Sequence, residues 1–309
     1  MEKNYKMILI GALALVTIGI YIHSQNKSDS DANAATVSSS ATTDDGISTS
    51  RNYGGNKAVD SNTDATEDET DAAYEKNSSA RKGIELPAYS SNDMIVEHKS
   101  FILSYNTEHN TPNWVAWSLT GAHANGSLSR SKKFWADEKI PTRYRVNWYE
   151  YKESGYDRGH MCPAGDNAWN AEAMHDCFYM SNMCPQEHEL NNGSWKKLEE
   201  ACRRWAVTEK CIYICCGPIY KGNSHSHIGQ DHRIDVPEGF FKVVLSLRKG
   251  KEKAIGFYYE NNERNQSMRK VATTVDAIEK MTGYDFFHAL DDNLEKKVES
   301  EFNLGDWGE

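Results

Sequence analysis

The chain has 309 residues, and its 35 Lys and Arg against 45 Asp and Glu give a formal charge of −10. A mean hydropathy of −0.72 excludes a protein that crosses a membrane many times. The charge excludes a bulk basic surface that coats nucleic acid, so any polyanion site has to be a local cluster.

Residues 1–6 form a short stub with Lys3 and Lys6. Residues 7–23 follow as an apolar segment. Its uncharged stretch Met7–Ile22, extended by neutral residues to Asn26, approaches the ~20 residues that a spanning helix needs. Lysines ahead of such a run predict a cytoplasmic N-terminus and an exported remainder. The segment is then an inner-membrane anchor facing the periplasm or, if cleaved, the signal of a secreted protein. No small-x-small cleavage motif directly follows the ending Tyr21-Ile22-His23-Ser24, which favours the anchor. Residues 24–83 are Ser, Thr, Asp, Asn, Ala and Gly, with Gly54-Gly55 and Glu67-Asp68-Glu69. Such a composition buries too little area to offset chain entropy, and it predicts a disordered polar linker.

Folded sequence is expected over residues 84–309. Glu97–Tyr105 and Trp114–Leu119 read as strands, with a turn at Asn110, Pro112 and Asn113. Arg145–Tyr151, Phe178–Met183 and Cys211–Cys215 are further segments of strand length. Phe240–Leu247 and Ala254–Glu260 flank Arg248-Lys249-Gly250-Lys251, a hairpin signal. Helices are expected at Asn191–Val207 and Val271–Thr282. Strands in runs with few helices predict an α+β domain built on an antiparallel sheet.

Chemistry concentrates between Asp157 and Arg203. In Asp157-Arg158-Gly159-His160 a histidine of pKa near ~6.5, suited to general base catalysis, stands beside an arginine that forks onto phosphate oxygens and a glycine that admits close backbone approach. A lone histidine is more often a core or surface residue; the company of Arg158 and Gly159 raises the catalytic reading. In the following helix Trp195, Leu198, Cys202 and Trp205 form one apolar stripe. Asn191 stands at its start, where Asn caps well. Glu199 and Arg203 are i,i+4 at the stripe's edge. Alone, this is an ordinary capped helix with a surface ion pair.

Taken together these segments are more specific. Gly155-Tyr156-Asp157-Arg158-Gly159-His160-Met161, Tyr179-Met180-Ser181-Asn182-Met183-Cys184-Pro185-Gln186 and Leu190-Asn191-Asn192-Gly193-Ser194-Trp195 resemble the DNA/RNA non-specific endonuclease family, whose active site is a ββα metal finger. The resemblance continues through Gly217-Pro218-Ile219-Tyr220, Val236-Pro237, Phe241-Lys242-Val243-Val244 and Thr282-Gly283-Tyr284-Asp285-Phe286-Phe287. It implies an endonuclease acting on DNA and RNA, with Mg²⁺, or another divalent cation such as Mn²⁺, as cofactor. It further implies His160 as general base, Asn191 as the protein ligand of the metal and Arg158 as a phosphate-binding arginine. Glu199 matches the acid that orients water on the metal, and Arg203 a further active-site arginine. Asn182 and Gln186 match polar substrate-side residues. In Arg130-Ser131-Lys132-Lys133-Phe134 with Asp137, either Arg130 or Lys132 supplies an upstream cation. Because the folded region is itself acidic, the basic residues near these motifs have to form the substrate track.

The seven cysteines, Cys162, Cys177, Cys184, Cys202, Cys211, Cys215 and Cys216, show no C-x-x-C spacing. That argues against a zinc ribbon, and His225, His227 and His232 read as loop histidines. In an exported protein at least one disulfide is expected. Two other classes contrast with the nuclease reading. One is a nucleic-acid-binding module without catalysis, which would lack His160 or Asn191. The other is a secreted zinc or redox protein built on the Cys/His cluster. Oligomeric state is left open.

Overall fold

Segment Cys211–Ile219 is buried at every position, the signature of a strand covered on both faces. The computed structural model describes residues 83–309, so the stub, the anchor segment 7–23 and the linker up to residue 82 lie outside the described residues. Among the described residues no helix is long and apolar enough to cross a membrane.

The strands in chain order are β1 (Met94–Glu97), β2 (Ile102–Asn106), β3 (Thr111–Thr120), β4 (Asp157–His160), β5 (Met183–Gln186), β6 (Cys211–Ile219), β7 (His227–Ile228), β8 (Ile234–Asp235), β9 (Gly239–Ser246), β10 (Lys253–Glu260) and β11 (Ala272–Thr273). The helices are α1 (Gly121–Ala124), α2 (Ala171–Asp176), α3 (Lys196–Glu209), α4 (Met268–Val271), α5 (Val275–Thr282) and α6 (Asp292–Glu299). Seven strands form one sheet in the order β1-β2-β3-β6-β9-β10-β11, and every neighbouring pair is antiparallel. This is the expected α+β architecture.

The two faces of the sheet carry separate cores. Ile212, Ile214 and Cys216 of β6 face the Leu198, Ala201, Cys202 and Trp205 stripe of α3. Cys211, Tyr213 and Cys215 face the side covered by Val275 and Ile278 of α5 and Val298 of α6. Successive strand residues point to opposite faces, so one apolar run serves both cores. The predicted stripe of α3 is buried in full.

Several predicted boundaries shift for physical reasons. The segment Glu97–Tyr105 divides into β1 and β2. The expected turn closes at Asn110, which takes a left-handed φ of 54°, whereas Pro112 and Asn113 lie inside β3. The segment Arg145–Tyr151 is not a strand: it coils into a 3₁₀ turn at Trp148–Tyr151, and Val146 and Tyr151 pack with Met180, Met183, Ile228 and Ile234 in a third cluster. Phe178–Met183 is likewise mostly turn, with one isolated parallel bridge from Tyr179 to Trp135 ahead of β5. The expected hairpin forms from β9 and β10, with Ser246 opposite Lys253. The helix expected at Val271–Thr282 is interrupted because Ala272-Thr273 adds to the sheet edge at β10. Thr274 then caps α5 by accepting from the Ala277 N–H at 3.1 Å.

The expected disulfide is absent: all seven cysteines are free and buried. Five belong to one face's core and two to the other, and the adjacent Cys215 and Cys216 point to opposite faces. The thiols act as small apolar side chains.

Strands β4 and β5 pair outside the main sheet, with Gly159 opposite Cys184 and His160 opposite Met183. A six-residue π-helical turn, Leu190–Trp195, follows and leads directly into α3. Gly159 is required by contact: a Cβ there would lie 2.3 Å from Gln186 Oε1. Gly159→Ala should therefore lower stability by roughly 1–3 kcal/mol, the usual cost of overpacking, read as a fall in the urea midpoint. Gly193 has open space around its Cβ position, so Gly193→Ala should leave the midpoint unchanged or raise it.

Candidate active site

Strand β4, the π-helical turn and α3 converge on a cleft of about 400 Å³ whose walls include Arg130, His160, Asn191, Lys196, Glu199 and Arg203. The sequence placed five of these six in the site. Three cations face one carboxylate, so an acidic domain carries a locally positive cleft. Of the two candidate upstream cations, Arg130 lines the cleft and stacks over the Phe178 ring at 5.2 Å, whereas Lys132 is exposed outside it.

His160 is 5% exposed and flanked by Phe178, at 4.8 Å and nearly perpendicular, and Phe134 at 5.8 Å. Its Nε2 has no hydrogen-bond partner. Burial, then the Arg130 charge, pull its pKa down to about 3, against a backbone hydrogen bond at Arg158. With Nε2 unpartnered, that bond belongs to Nδ1, which fixes the proton there and leaves Nε2 a lone-pair acceptor. The ring is therefore neutral across the physiological range.

Asn191 does not cap the helix. It lies within the π-helical turn, and its Nδ2 donates to Asp157 Oδ2 at 2.8 Å. The same oxygen takes a bond from His188 Nδ1 at 2.9 Å. Asp157 thus fixes the amide and leaves Asn191 Oδ1, a hard neutral oxygen, free of protein hydrogen bonds. Such an oxygen suits Mg²⁺, which keeps most of its waters and needs few protein ligands. The residues present fit the divalent cation implied by the resemblance. π-Helical turns of this kind recur at functional sites.

Glu199 and Arg203 do not pair with each other. Arg203 Nη1 donates to Asp166 Oδ1 at 2.9 Å, and Asp166 Oδ2 accepts from Trp117 Nε1 at 3.1 Å. Gly165 makes room for this guanidinium, since a Cβ there would lie 2.6 Å from Nη1. Beneath them Lys242 is buried, its Nζ 4.5 Å from the Trp195 ring and 5.0 Å from the Trp117 ring. Burial opposes the Lys242 charge, but Cys216, Cys202, Glu199 and Asp166 hold its proton on. Burial pushes the Glu199 carboxyl up to about 7, while Lys242, Arg203 and Arg130 draw it down and Asp166 pushes it further up. Sequence reasoning missed the roles of Asp157, Asp166 and Lys242. The last had a legible signal, a lysine between Phe240 and Val244 on the inward face of an apolar strand.

Arg158 shares a face of β4 with His160 but stacks over Phe134 at 4.8 Å, at the rim and not in the wall. Asn182 and Gln186, read from the resemblance as substrate-binding residues, are both 0% exposed. Asn182 ties Cys162 to Cys177 through three backbone hydrogen bonds, so no polar atom of it is left for substrate. Gln186 is pressed against Gly159 across the β4–β5 pair. His225 and His232 bond separate carboxylates, Glu238 and Glu150, and form no shared metal centre.

Residues 77–293 match the DNA/RNA non-specific endonuclease family. The chain is 34% identical over 204 residues to the mitochondrial nuclease EXOG of Xenopus laevis, a match covering 61% of this chain and 57% of that protein. It is 32% identical over 214 residues to a nuclease of a Nostoc species, covering 65% and 76% of the two chains. It thus spans less than two thirds of the length of the EXOG relative. Among solved structures it resembles the EndoG/EndoGI complex, described by its title as showing the mechanism of EndoG inhibition, with a TM-score of 0.62, 28% identity, and coverage of 66% of this chain and 89% of that one. With a match over residues 77–293, the chain belongs to the DNA/RNA non-specific endonuclease family.

Proposed function

We propose that the domain is a divalent-metal-dependent, sugar-non-specific endonuclease that hydrolyses phosphodiester bonds of DNA and RNA. The observation that carries this reading is the convergence in one cleft of an unpartnered, buried His160 Nε2, an oriented Asn191 amide and the cations Arg130 and Arg203. His160 Nε2 accepts the proton of the attacking water. Arg130 and Arg203 hold phosphate oxygens and offset charge that builds on them; Asp166 keeps the Arg203 fork aimed. Asn191 Oδ1 would hold the cation, Mg²⁺ or a similar ion such as Mn²⁺, and Glu199 lines the same cleft. When bound, the cation supplies Lewis-acid stabilisation of the phosphate and the leaving oxygen. A site that grips phosphates carries little base or sugar information.

The test is digestion of duplex DNA, single-stranded DNA and RNA by the full chain, with and without EDTA. Cleavage of all three, abolished by EDTA, is the expected result. His160→Ala should lose at least ~10²-fold in rate while retaining DNA binding by gel shift. Unchanged turnover in that variant would remove His160 from the reaction.

Glu199 gives a pH-dependent expectation. Its carboxyl, held at about 7 in the folded chain against an ordinary 4.5, binds its proton more tightly when folded. Its stabilising contribution is therefore complete below 4.5 and is lost as pH rises through 7. Without divalent cations, Glu199→Gln should be more stable than the parent at pH 8, by about 1 kcal/mol once partial exposure is discounted. The two urea midpoints should converge at pH 4.

For location, Lys3, Lys6 and the uncharged run behind them support attachment to a bacterial inner membrane with the domain on its outer side. Cell fractionation should recover the chain in the membrane pellet, with residues 24–83 open to protease added from outside that membrane. Full-length chain in the cytosol would overturn the placement and leave the catalytic reading intact.

A further inference from the structure

On the sheet face away from the cleft, α5 and α6 bring carboxylates together that, among the described residues, form no ion pair. Asp276 and Glu279 stand i,i+3 on α5; Glu295 and Glu299 stand i,i+4 on α6. One carboxylate oxygen each of Asp276, Glu279 and Glu299 lies within 4.8 Å of the others. That is about the span of two oxygens on opposite sides of a Ca²⁺ ion at ~2.4 Å. Glu299 is 5% exposed, and its Oε1 has no hydrogen-bond partner. Glu279 spends one oxygen on the Phe286 N–H at 2.8 Å and keeps the other. Among the described residues no lysine or arginine forms an ion pair with these four carboxylates or with Asp285 beside them. Lys280, Lys296 and Lys297, on the same two helices, are among those without such a pair.

A buried carboxylate left without donor or counter-ion is costly, and like charges nearby add to the cost. Burial, and then Glu279, Glu295, Asp276 and Asp285, push the Glu299 carboxyl up to about 9. Either a proton or a cation relieves this crowding. The arrangement favours a cation: the oxygens come from two helices, already gathered to ligand spacing, and one of them is sealed from water. We propose that Asp276, Glu279 and Glu299 bind a divalent cation of the Ca²⁺ type that clamps α6 to α5. Ca²⁺ takes six to eight oxygens in flexible geometry, whereas Mg²⁺ resists a shell rich in protein carboxylates. The site shares no residue with the cleft, and α5 and α6 belong to the other core, so it is independent of the catalytic reading.

The experiment uses the full chain carrying Asn191→Ala, which removes the catalytic cation ligand from the readout. After EDTA dialysis, thermal unfolding is followed while CaCl2 or MgCl2 is added. Ca²⁺ should raise Tm by roughly 5 °C at a hundredfold excess over its Kd, and Mg²⁺ by less. Adding Glu299→Gln should abolish the rise, yet in EDTA that variant should melt no lower than its parent, because the amide, like the protonated acid, brings no charge into the cluster. This crossing separates lost binding from a damaged fold. Asp276→Asn, at a half-buried position, should likewise blunt the rise. A Ca²⁺-induced rise that persists in Glu299→Gln, or no rise in the parent, overturns the proposal.

Discussion

An ammonium group held between two indole rings is stable only if anions lie within reach, because desolvation costs several kcal/mol. Lys242 imposes this condition on the interior of the sheet. Cys216, Cys202, Glu199 and Asp166 hold its proton on, and the two carboxylates come from α3 and from the 3₁₀ turn Ala164–Asn167. The buried ammonium thus draws the sheet, α3 and that turn toward one interior group. Asp166 in turn holds Arg203 at 2.9 Å. The cleft wall is one edge of a charge network that begins inside the core, and its geometry depends on that network more than on surface pairs.

The finger depends on a second set of links. Trp195 Nε1 donates to the His160 carbonyl at 3.3 Å, joining the end of the π-helical turn to the end of β4. Asp157, at the other end of β4, bonds Asn191 at the start of that turn. A four-residue strand and a six-residue turn are tied at both ends, so His160 and Asn191 keep their spacing although neither lies in the main sheet. This is the supporting shell that precise sites need.

Much of this was legible in the sequence because the signals were local. The α3 stripe and the β9–β10 hairpin follow from periodicity and turn chemistry, and the grouping of His160, Asn191, Glu199 and Arg203 from the family resemblance of their motifs. What stayed hidden was relational. Asn191 looked like a cap because Asn at a helix start usually is one; its partner, Asp157, lies 34 residues earlier. Glu199 and Arg203 looked paired because i,i+4 neighbours usually are; Asp166 competes from a turn that no helical rule reaches. The resemblance singles out Asn182 and Gln186 but carries no information on burial, and the finger buries both. Arg145–Tyr151 looked like a strand, but its apolar residues were drawn into a separate cluster away from any open sheet edge.

The free cysteines carry a consequence for how the chain matures. Five thiols in one core and two in the other contribute as apolar volume, with no cross-link to form and no oxidation step to await. Burial pushes most of these thiols well above their ordinary pKa, which starves them of the thiolate that exchange chemistry requires. The folded domain is then insensitive to the glutathione poise of its surroundings. A domain of this kind can be produced in reducing cytosol, carried through an oxidising space, or retained on either side of a bilayer without a change in its covalent structure.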